Sequence, residues 1–276
     1  PNLRLLVVDE EHDPSYKQQE GARYSARDLA VWRGRREGIP VLLGSATPAV
    51  ETYYQARQGR YGLVSLSKRF GEAGMPDIEL VDTRKAREKK TMHNHFTADL
   101  LGEVERTLGR QEQVILFQNR RGYAPVVACQ DCGWIPKCTN CAVSLSYHKH
   151  SHELRCHYCG YHDPMVTKCP ACGSRAVKTQ GFGTEKIEDD LKIMLPQANI
   201  QRMDLDTTRA KNSYQQIIGD FEKQTTNVLV GTQMVTKGLD FANVSLVGII
   251  NADSIIHYPD FRAHERAYQM FVQVSG

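Results

Sequence analysis

Eight cysteines fall into four pairs of one spacing: Cys129-x2-Cys132, Cys138-x2-Cys141, Cys156-x2-Cys159 and Cys169-x2-Cys172. Two intervening residues let both sulfurs of a turn face one ion, and two such turns complete a tetrahedron with Zn–S near 2.3 Å. Four pairs therefore make two Zn²⁺ sites. Spacing leaves their grouping open. Sequential pairing would place Cys129, Cys132, Cys138 and Cys141 on one metal. Nested pairing would join Cys129 and Cys132 to Cys169 and Cys172 around an inner set of Cys138, Cys141, Cys156 and Cys159. Disulfides sit poorly with the strict pairing and with the lack of a secretion signal. Redox dithiols would not explain four motifs so close together, and an iron–sulfur site is the remaining tetrahedral sulfur chemistry. Once the sulfurs fill both shells, His148, His150, His152, His157 and His162 are surplus, expected to face solvent or to hydrogen-bond the ligands.

A second chemistry is written in carboxylates. Asp9-Glu10-Glu11-His12 follows the apolar run Leu3–Val8, where a nucleotide enzyme needs one acid for Mg²⁺ and another to orient the attacking water. Asp9 is expected to hold Mg²⁺, Glu10 to position water and His12 to sense the γ-phosphate. Gly44-Ser45-Ala46-Thr47 follows the next apolar run and offers hydroxyls to that cluster. Gly231-Thr232-Gln233-Met234, with Lys237, Gly238 and Asp240 behind it, repeats the arrangement after Val228-Leu229-Val230. Solvated turns at strand ends are the bland reading of each cluster alone.

These groups must be held by regular elements. Leu3–Val8 and Ile39–Leu43 read as strands, and Leu29, Ala30 and Trp32 give Ala26–Glu37 helical spacing closed by Gly38. Apolar strands buried on both faces and joined by a helix are parallel α/β architecture, whose ligands sit past the strands' carboxyl ends. Residues 68–90 read as a connection, with a short strand at Ile78–Val81 and a basic run at Arg84–Lys90. A second α/β series follows: helices near 98–108, 184–194 and 211–221, and strands at 114–117, 200–203, 228–230 and 244–250. Residues Cys129 to Cys172 interrupt it and hold so few aliphatic side chains that metal rather than apolar burial should organise them.

The formal charge of +3, from 35 Lys and Arg against 32 Asp and Glu, falls to about −1 once eight thiolates and two divalent ions are included. Net charge therefore does not argue for nucleic acid. Local chemistry must carry that argument: Lys137, His148, Lys149, His150, Arg155 and Lys168 with Trp134, Tyr147, Tyr158 and Tyr161 supply cations and stacking faces suited to a single strand or a DNA junction. Packing of a small metal-held fold explains the aromatic rings equally well. No run reaches the roughly 18 apolar residues of a membrane span, and the protein reads as cytoplasmic.

Taken together, Asp9–Gly21, Gly44–Thr47, Asn119-Arg120-Arg121-Gly122, the eight-cysteine insert and Gly231–Met234 resemble the primosomal replication-restart DNA helicases of superfamily 2 over essentially the whole chain. The resemblance implies RecA-like P-loop helicase lobes: the carboxy-terminal part of lobe 1 (1–67), a connection (68–92), the start of lobe 2 (93–125), a two-zinc cysteine-rich insert (126–178) and the rest of lobe 2 (179–276). Asp9, Glu10 and His12 match the hydrolysis motif, and Gly44, Ser45, Ala46 and Thr47 the segment coupling hydrolysis to lobe movement. Tyr16, Lys17, Tyr24 and Arg27 match an aromatic-rich loop that senses single-stranded DNA, in agreement with rings that stack on bases and cations that meet phosphates. Arg120, Arg121, Thr184 and Glu185 match further DNA-facing positions. Gly231, Thr232, Gln233, Lys237, Gly238, Asp240 and Asp253 match nucleotide-facing ones.

The resemblance also implies nested zinc pairing, two Zn²⁺, ATP with Mg²⁺, and 3′-to-5′ unwinding. Its implied partners are forked and single-stranded DNA, primosome proteins, single-stranded DNA-binding protein and the replicative helicase loader, with the helicase itself a monomer in the bacterial cytoplasm. The chain opens at Pro1, close before a strand, and stops at Gly276. A piece excised from a longer protein is therefore expected, lacking the amino-terminal DNA-binding region, the glycine-rich phosphate loop and the final arginines, and so unable to hydrolyse ATP alone. A zinc-dependent binding module on an inactive helicase-like scaffold, and another superfamily 2 translocase, are the competing readings.

Overall fold

The computed structural model describes residues 2–18, 21–67, 74, 76–118, 126–148, 151–156, 158–180, 184–204, 207–208, 210, 212–235 and 241–275, with backbone only at 126, 180 and 233. Its contacts separate a unit spanning residues 1–75 from one spanning 76–276.

In the first unit, β1 (Leu6–Val8) and β2 (Val41–Leu43) pair in parallel, Leu6 beside Val41 and Val8 beside Leu43. The crossover is α1 (Ala26–Glu37), started by Ser25, whose side chain accepts from the Asp28 amide, and ended by Gly38 at φ 66°. α2 (Val50–Arg57) follows. The strands are shorter than the apolar runs that announce them, and burial on both faces does not hold. Val7 and Leu42 are 59% and 58% exposed, because among the described residues no element packs on that side of the pair.

The second unit begins with α3 (Thr83–Glu88), capped by Asp82, and a small hairpin of β3 (Met92–His93) and β4 (Phe96–Thr97). The basic run is therefore largely helical rather than a plain connection. No strand forms at Ile78–Val81, where Leu80 is 92% exposed. Next come α4 (Ala98–Gly109), β5 (Gln113–Phe117), β6 (Val126–Cys129), β7 (Ser146–His148), β8 (Glu153–Arg155), β9 (His162–Pro164) and β10 (Val177–Gln180). The chain continues through α5 (Thr184–Met194), β11 (Ile200–Met203), α6 (Ser213–Glu222), β12 (Val228–Gly231), β13 (Val244–Ile249), α7 (Ala252–Ile256) and α8 (Ala263–Val274).

Four strands form one parallel sheet in the order β11-β12-β5-β13. Successive side chains point to opposite faces of a strand, and both faces are covered. Val114, Leu116, Val228 and Val230 pack with Val104 of α4 and with Ile187 and Leu191 of α5. Ile115, Phe117 and Leu229 pack with Ile217 and Phe221 of α6 and Ala267, Met270 and Val274 of α8. This mixed α/β layering explains why the two central strands, β5 and β12, read as apolar runs, whereas the edge strand β11 carries Gln201 and Arg202 in its middle.

The insert is a separate five-stranded antiparallel sheet in the order β10-β6-β7-β8-β9. Its first and last strands pair with each other, Val126 opposite Gln180 and Cys129 opposite Val177. The expectation that it lacks a core is corrected here. Val127, Val143, Leu145 and Leu154 are buried with Cys138 and Cys156, and Tyr147, Tyr161 and Met165 close around them. Cysteine behaves as a small apolar side chain and a tyrosine ring covers much area, so few aliphatic residues suffice. No described helix in either unit is long and apolar enough to cross a membrane.

Candidate functional site

All four cysteine pairs are built alike. The amide of the residue after the second cysteine donates to the carbonyl of the first: Gly133 N to Cys129 O (3.0 Å), Ala142 N to Cys138 O (3.1 Å), Gly160 N to Cys156 O (3.1 Å) and Gly173 N to Cys169 O (2.9 Å). Each first cysteine then donates its own amide five residues on, to Trp134, Val143, Tyr161 and Ser174, at 2.7 to 2.8 Å. This closure needs a left-handed residue after the second cysteine, and Gly133, Gly160 and Gly173 stand at φ 76°. The exception is Ala142 at φ 53°. Left-handed alanine costs more than glycine's extra chain entropy. Ala142→Gly is accordingly expected to stabilise the inner cluster by about 0.5 to 1 kcal/mol, seen as slower zinc loss to a chelator.

The fold groups Cys129, Cys132, Cys169 and Cys172 in one set and Cys138, Cys141, Cys156 and Cys159 in another, with all sulfurs of a set within 4.8 Å of one another. Of the two groupings that spacing leaves open, this is the nested one. The distances Cys129–Cys172 and Cys132–Cys169 are 3.6 Å, and Cys138–Cys159 is 3.5 Å. A disulfide would require roughly 2.05 Å, whereas tetrahedral Zn–S bonds place sulfurs about 3.8 Å apart. Electrostatics agree with a cation. The Tyr161 amide favours the Cys159 thiolate, drawn down to about 6, and that sulfur is the main cause pushing Cys141 up to about 12. Four thiolates at this spacing need positive charge between them, so the donor set fits Zn²⁺.

In the first unit the strand ends bring Asp9, Glu10, His12, Ser45 and Thr47 together. Gly44 N donates to Val8 O (2.9 Å) and Glu11 N to Gly44 O (3.0 Å), continuing the pairing past both strands. His12, its side chain only 4% exposed, meets the Ser45 hydroxyl through Nδ1 at 2.7 Å and the Thr47 hydroxyl through Nε2 at 3.5 Å. Glu10 Oε2 lies 3.3 Å from His12 Nδ1. Glu10 is held at φ 46°, a left-handed conformation that costs a non-glycine residue about 1 to 2 kcal/mol. Asp9, Glu10 and Ala46 are exposed, while Thr47 is buried.

Sequence reasoning passed over Glu11, the acid that organises this corner. It is 2% exposed and accepts from Ala49 N (2.7 Å), Thr52 Oγ1 (2.9 Å) and Arg27 Nη1 (3.1 Å). Arg27 aims its guanidinium at three carboxylates: Glu11, Asp28 at 2.8 Å and Glu51 at 3.2 Å. Burial works against that charge, but the hydrogen bonds and charge of Asp28, with Glu51 and Glu11, outweigh it and raise the Arg27 pKa. Tyr16 donates to Asp9 O at 2.7 Å. Lys17, bridged to Ser25 in the backbone, and Tyr24 are exposed beside it.

In the second unit Thr184 is fully buried at the start of α5 and donates to Asp204 Oδ2 at 2.5 Å. Glu185 and Asp253 are exposed. Gly231 closes β12, where a Cβ would stand 2.1 Å from Val235 Cγ1 and 3.2 Å from Met203 O, and Thr232 beside it is buried. Gly231→Ala is expected to cost about 1 to 3 kcal/mol by overpacking, measured as a lower urea midpoint at unchanged slope. Arg120, Arg121, Lys237, Gly238 and Asp240, with the Gln233 side chain, lie outside the described residues.

A doubly covered parallel sheet that carries a sulfur-rich ribbon defines a class, the helicase carboxy-terminal lobe with a cysteine-rich insert. Residues 178–276 match the model of the Helicase conserved C-terminal domain, and residues 138–164 match the PriA DNA helicase Cys-rich region (CRR) domain. Within that class the chain belongs to the PriA family. It is 42% identical over 275 residues to "Replication restart protein PriA" of Bacillus subtilis (strain 168), covering 100% of this chain and 34% of the relative. The PriA of Haemophilus influenzae (strain ATCC 51907 / DSM 11121 / KW20 / Rd) is 40% identical over 275 residues, covering 100% of this chain and 37% of the relative. The chain thus spans about a third of the length of these curated relatives.

Proposed function

We propose that this chain is the motor part of an ATP-dependent 3′-to-5′ DNA helicase of the replication-restart primosome, one that recognises forked DNA and promotes reloading of the replicative helicase in the bacterial cytoplasm. Residues 1–67 would belong to the first motor lobe, 68–92 to the connection, 93–125 and 179–276 to the second lobe, and 126–178 to the zinc insert. The two sulfur sets hold Zn²⁺, which supplies a fixed tetrahedral charge and no reaction step. Forked and single-stranded DNA, primosome proteins, single-stranded DNA-binding protein and the helicase loader are its partners, and the helicase works as a monomer.

The observation that carries this reading is the junction of His12 with Ser45 and Thr47 across adjacent strand ends. It joins the acids that would serve ATP·Mg²⁺, Asp9 for the metal and Glu10 for the attacking water, to the Gly44–Thr47 segment by hydrogen bonds. A change at the nucleotide therefore moves that segment, and the Tyr16 bond to the Asp9 carbonyl puts the Lys17 and Tyr24 surface, suited to single-stranded DNA, on the same element. Gly231, Thr232, Gln233, Lys237, Gly238, Asp240 and Asp253 would serve nucleotide and DNA in the second lobe, and Arg27, Arg120, Arg121, Thr184 and Glu185 would serve DNA.

The test uses a protein of the relatives' full length and forks whose single strand ends 3′ or 5′. ATP-dependent unwinding of one polarity is expected. His12→Ala should cut DNA-stimulated turnover by about ten- to a thousandfold, the range for losing a positioned polar group, while leaving fork binding in place. Fork binding without any ATP-dependent unwinding by the unaltered protein would favour the binding-module reading.

A further inference from the structure

Among the described residues, two contacts of the insert lie on the short segment between α7 and α8. At the first, Gly133, Trp134, Ile135 and Lys137 of the outer sulfur cluster wall a crevice of about 500 Å³ against His257. At the second, Tyr158, held between Cys156 and Cys159 of the inner cluster, accepts the Phe261 amide at 3.3 Å. Its ring stands edge-on to that of Phe261, with centroids 6.0 Å apart at 74°.

The contact continues into α8. Asp260 accepts from the Arg262 amide at 2.8 Å and from Arg266 of α8 at 2.5 Å. The Arg262 guanidinium covers the Phe261 ring at 5.4 Å and bonds Glu265 at 3.0 Å. Neither ring serves the apolar core, since Tyr158 and Phe261 remain 50% and 69% exposed. Two large rings left half in water yet matched to each other in geometry and hydrogen bonding form a specific contact rather than incidental packing.

We propose that Tyr158 is a positioning residue that latches the turn leading into α8 onto the inner sulfur cluster, so that the order of the metal site is passed to α8. A short metal-bracketed turn is among the stiffest pieces a chain can make, because its backbone is fixed by both sulfurs and by the closing amides. A ring standing on that turn has a fixed origin and fixes what it touches. The consequence for DNA unwinding rests on the helicase reading above, whereas the latch itself does not.

Amide exchange on the zinc-loaded chain tests the latch directly. Tyr158→Ala should raise exchange across residues 260–266 by about three- to tenfold, the factor for one aromatic pair, with two zinc ions retained and β5 and β12 unchanged. Tyr158→Phe, which keeps the ring and loses the acceptor, should give a smaller rise. Phe261→Ala, distant in sequence from every sulfur, should loosen residues 157–161 in return. Unchanged exchange at 260–266 in Tyr158→Ala together with unchanged exchange at 157–161 in Phe261→Ala overturns the proposal. In the full-length protein the same variants should lose unwinding per ATP consumed. Failure of the unaltered protein to unwind strikes only the helicase reading and leaves the exchange result to decide the latch.

Discussion

Chelating the metal from the zinc-loaded chain unfolds the insert and leaves the parallel sheet of the second unit intact. The insert's apolar cluster is built around Cys138 and Cys156 themselves, so losing the ion removes both the cross-link and the reason those sulfurs stay buried. Structural zinc contributes about 10 to 16 kcal/mol in apparent terms, far more than a handful of buried side chains at about 1.5 to 3 kcal/mol each, most of which offsets chain entropy. Amide exchange should show β6 to β10 losing protection together while β5, β11, β12 and β13 keep theirs. Metal analysis should find two zinc ions per chain, and one after Cys156→Ser or Cys169→Ser. The two variants should differ in place: the first frees the inner strands around β8, the second the β6–β10 base. An insert that keeps full protection without metal would refute this account.

The second large effect is expected at Glu11. Glu11→Ala removes the acceptor for three donors and leaves Arg27 buried against fewer carboxylates. Breaking a buried, hydrogen-bonded ion pair from one side typically costs about 3 to 5 kcal/mol, a large fraction of the stability of a small unit. Denaturation followed by the fluorescence of Trp32, on α1 of the first unit, should show that unit melting well before the second. Arg27→Ala should be comparably damaging, because it strands the Glu11 carboxylate. A variant in which both units unfold as in the parent chain would show that this network contributes nothing.

How far the sequence could be read depended on how local each signal is. The central strands β5 and β12 of the second unit's sheet are legible because burial on both faces writes a continuous apolar run, and α4 and α5 because their apolar spacing is helical. The CxxC pairs announce sulfur clusters, and a glycine after three of them marks the closing turn. The grouping of those pairs was not legible from spacing, since it depends on β6 and β10 lying side by side, a contact between residues far apart in the chain. The same limit hid the carboxylate partners of Arg27 and Thr184, Glu11 and Asp204, which stand 16 and 20 residues away and meet them through the packing of α1 and α5. Glu11 was also hidden for the opposite reason, standing between Glu10 and His12, two residues of evident use. A strand at Ile78–Val81 fails because three apolar residues around Glu79 have no partner strand to pair with.

The pairing of Val126 with Gln180 brings the insert's way in and way out to neighbouring points. The host lobe can therefore carry, lose or exchange the whole ribbon without stretching any strand of its own, as a drawer slides from a cabinet. Joining the chain directly across that gap with a two-residue turn should give a lobe that folds on its own. Ribbons of other lengths could be seated at the same opening, with the contacts at His257 and Phe261 left to be remade.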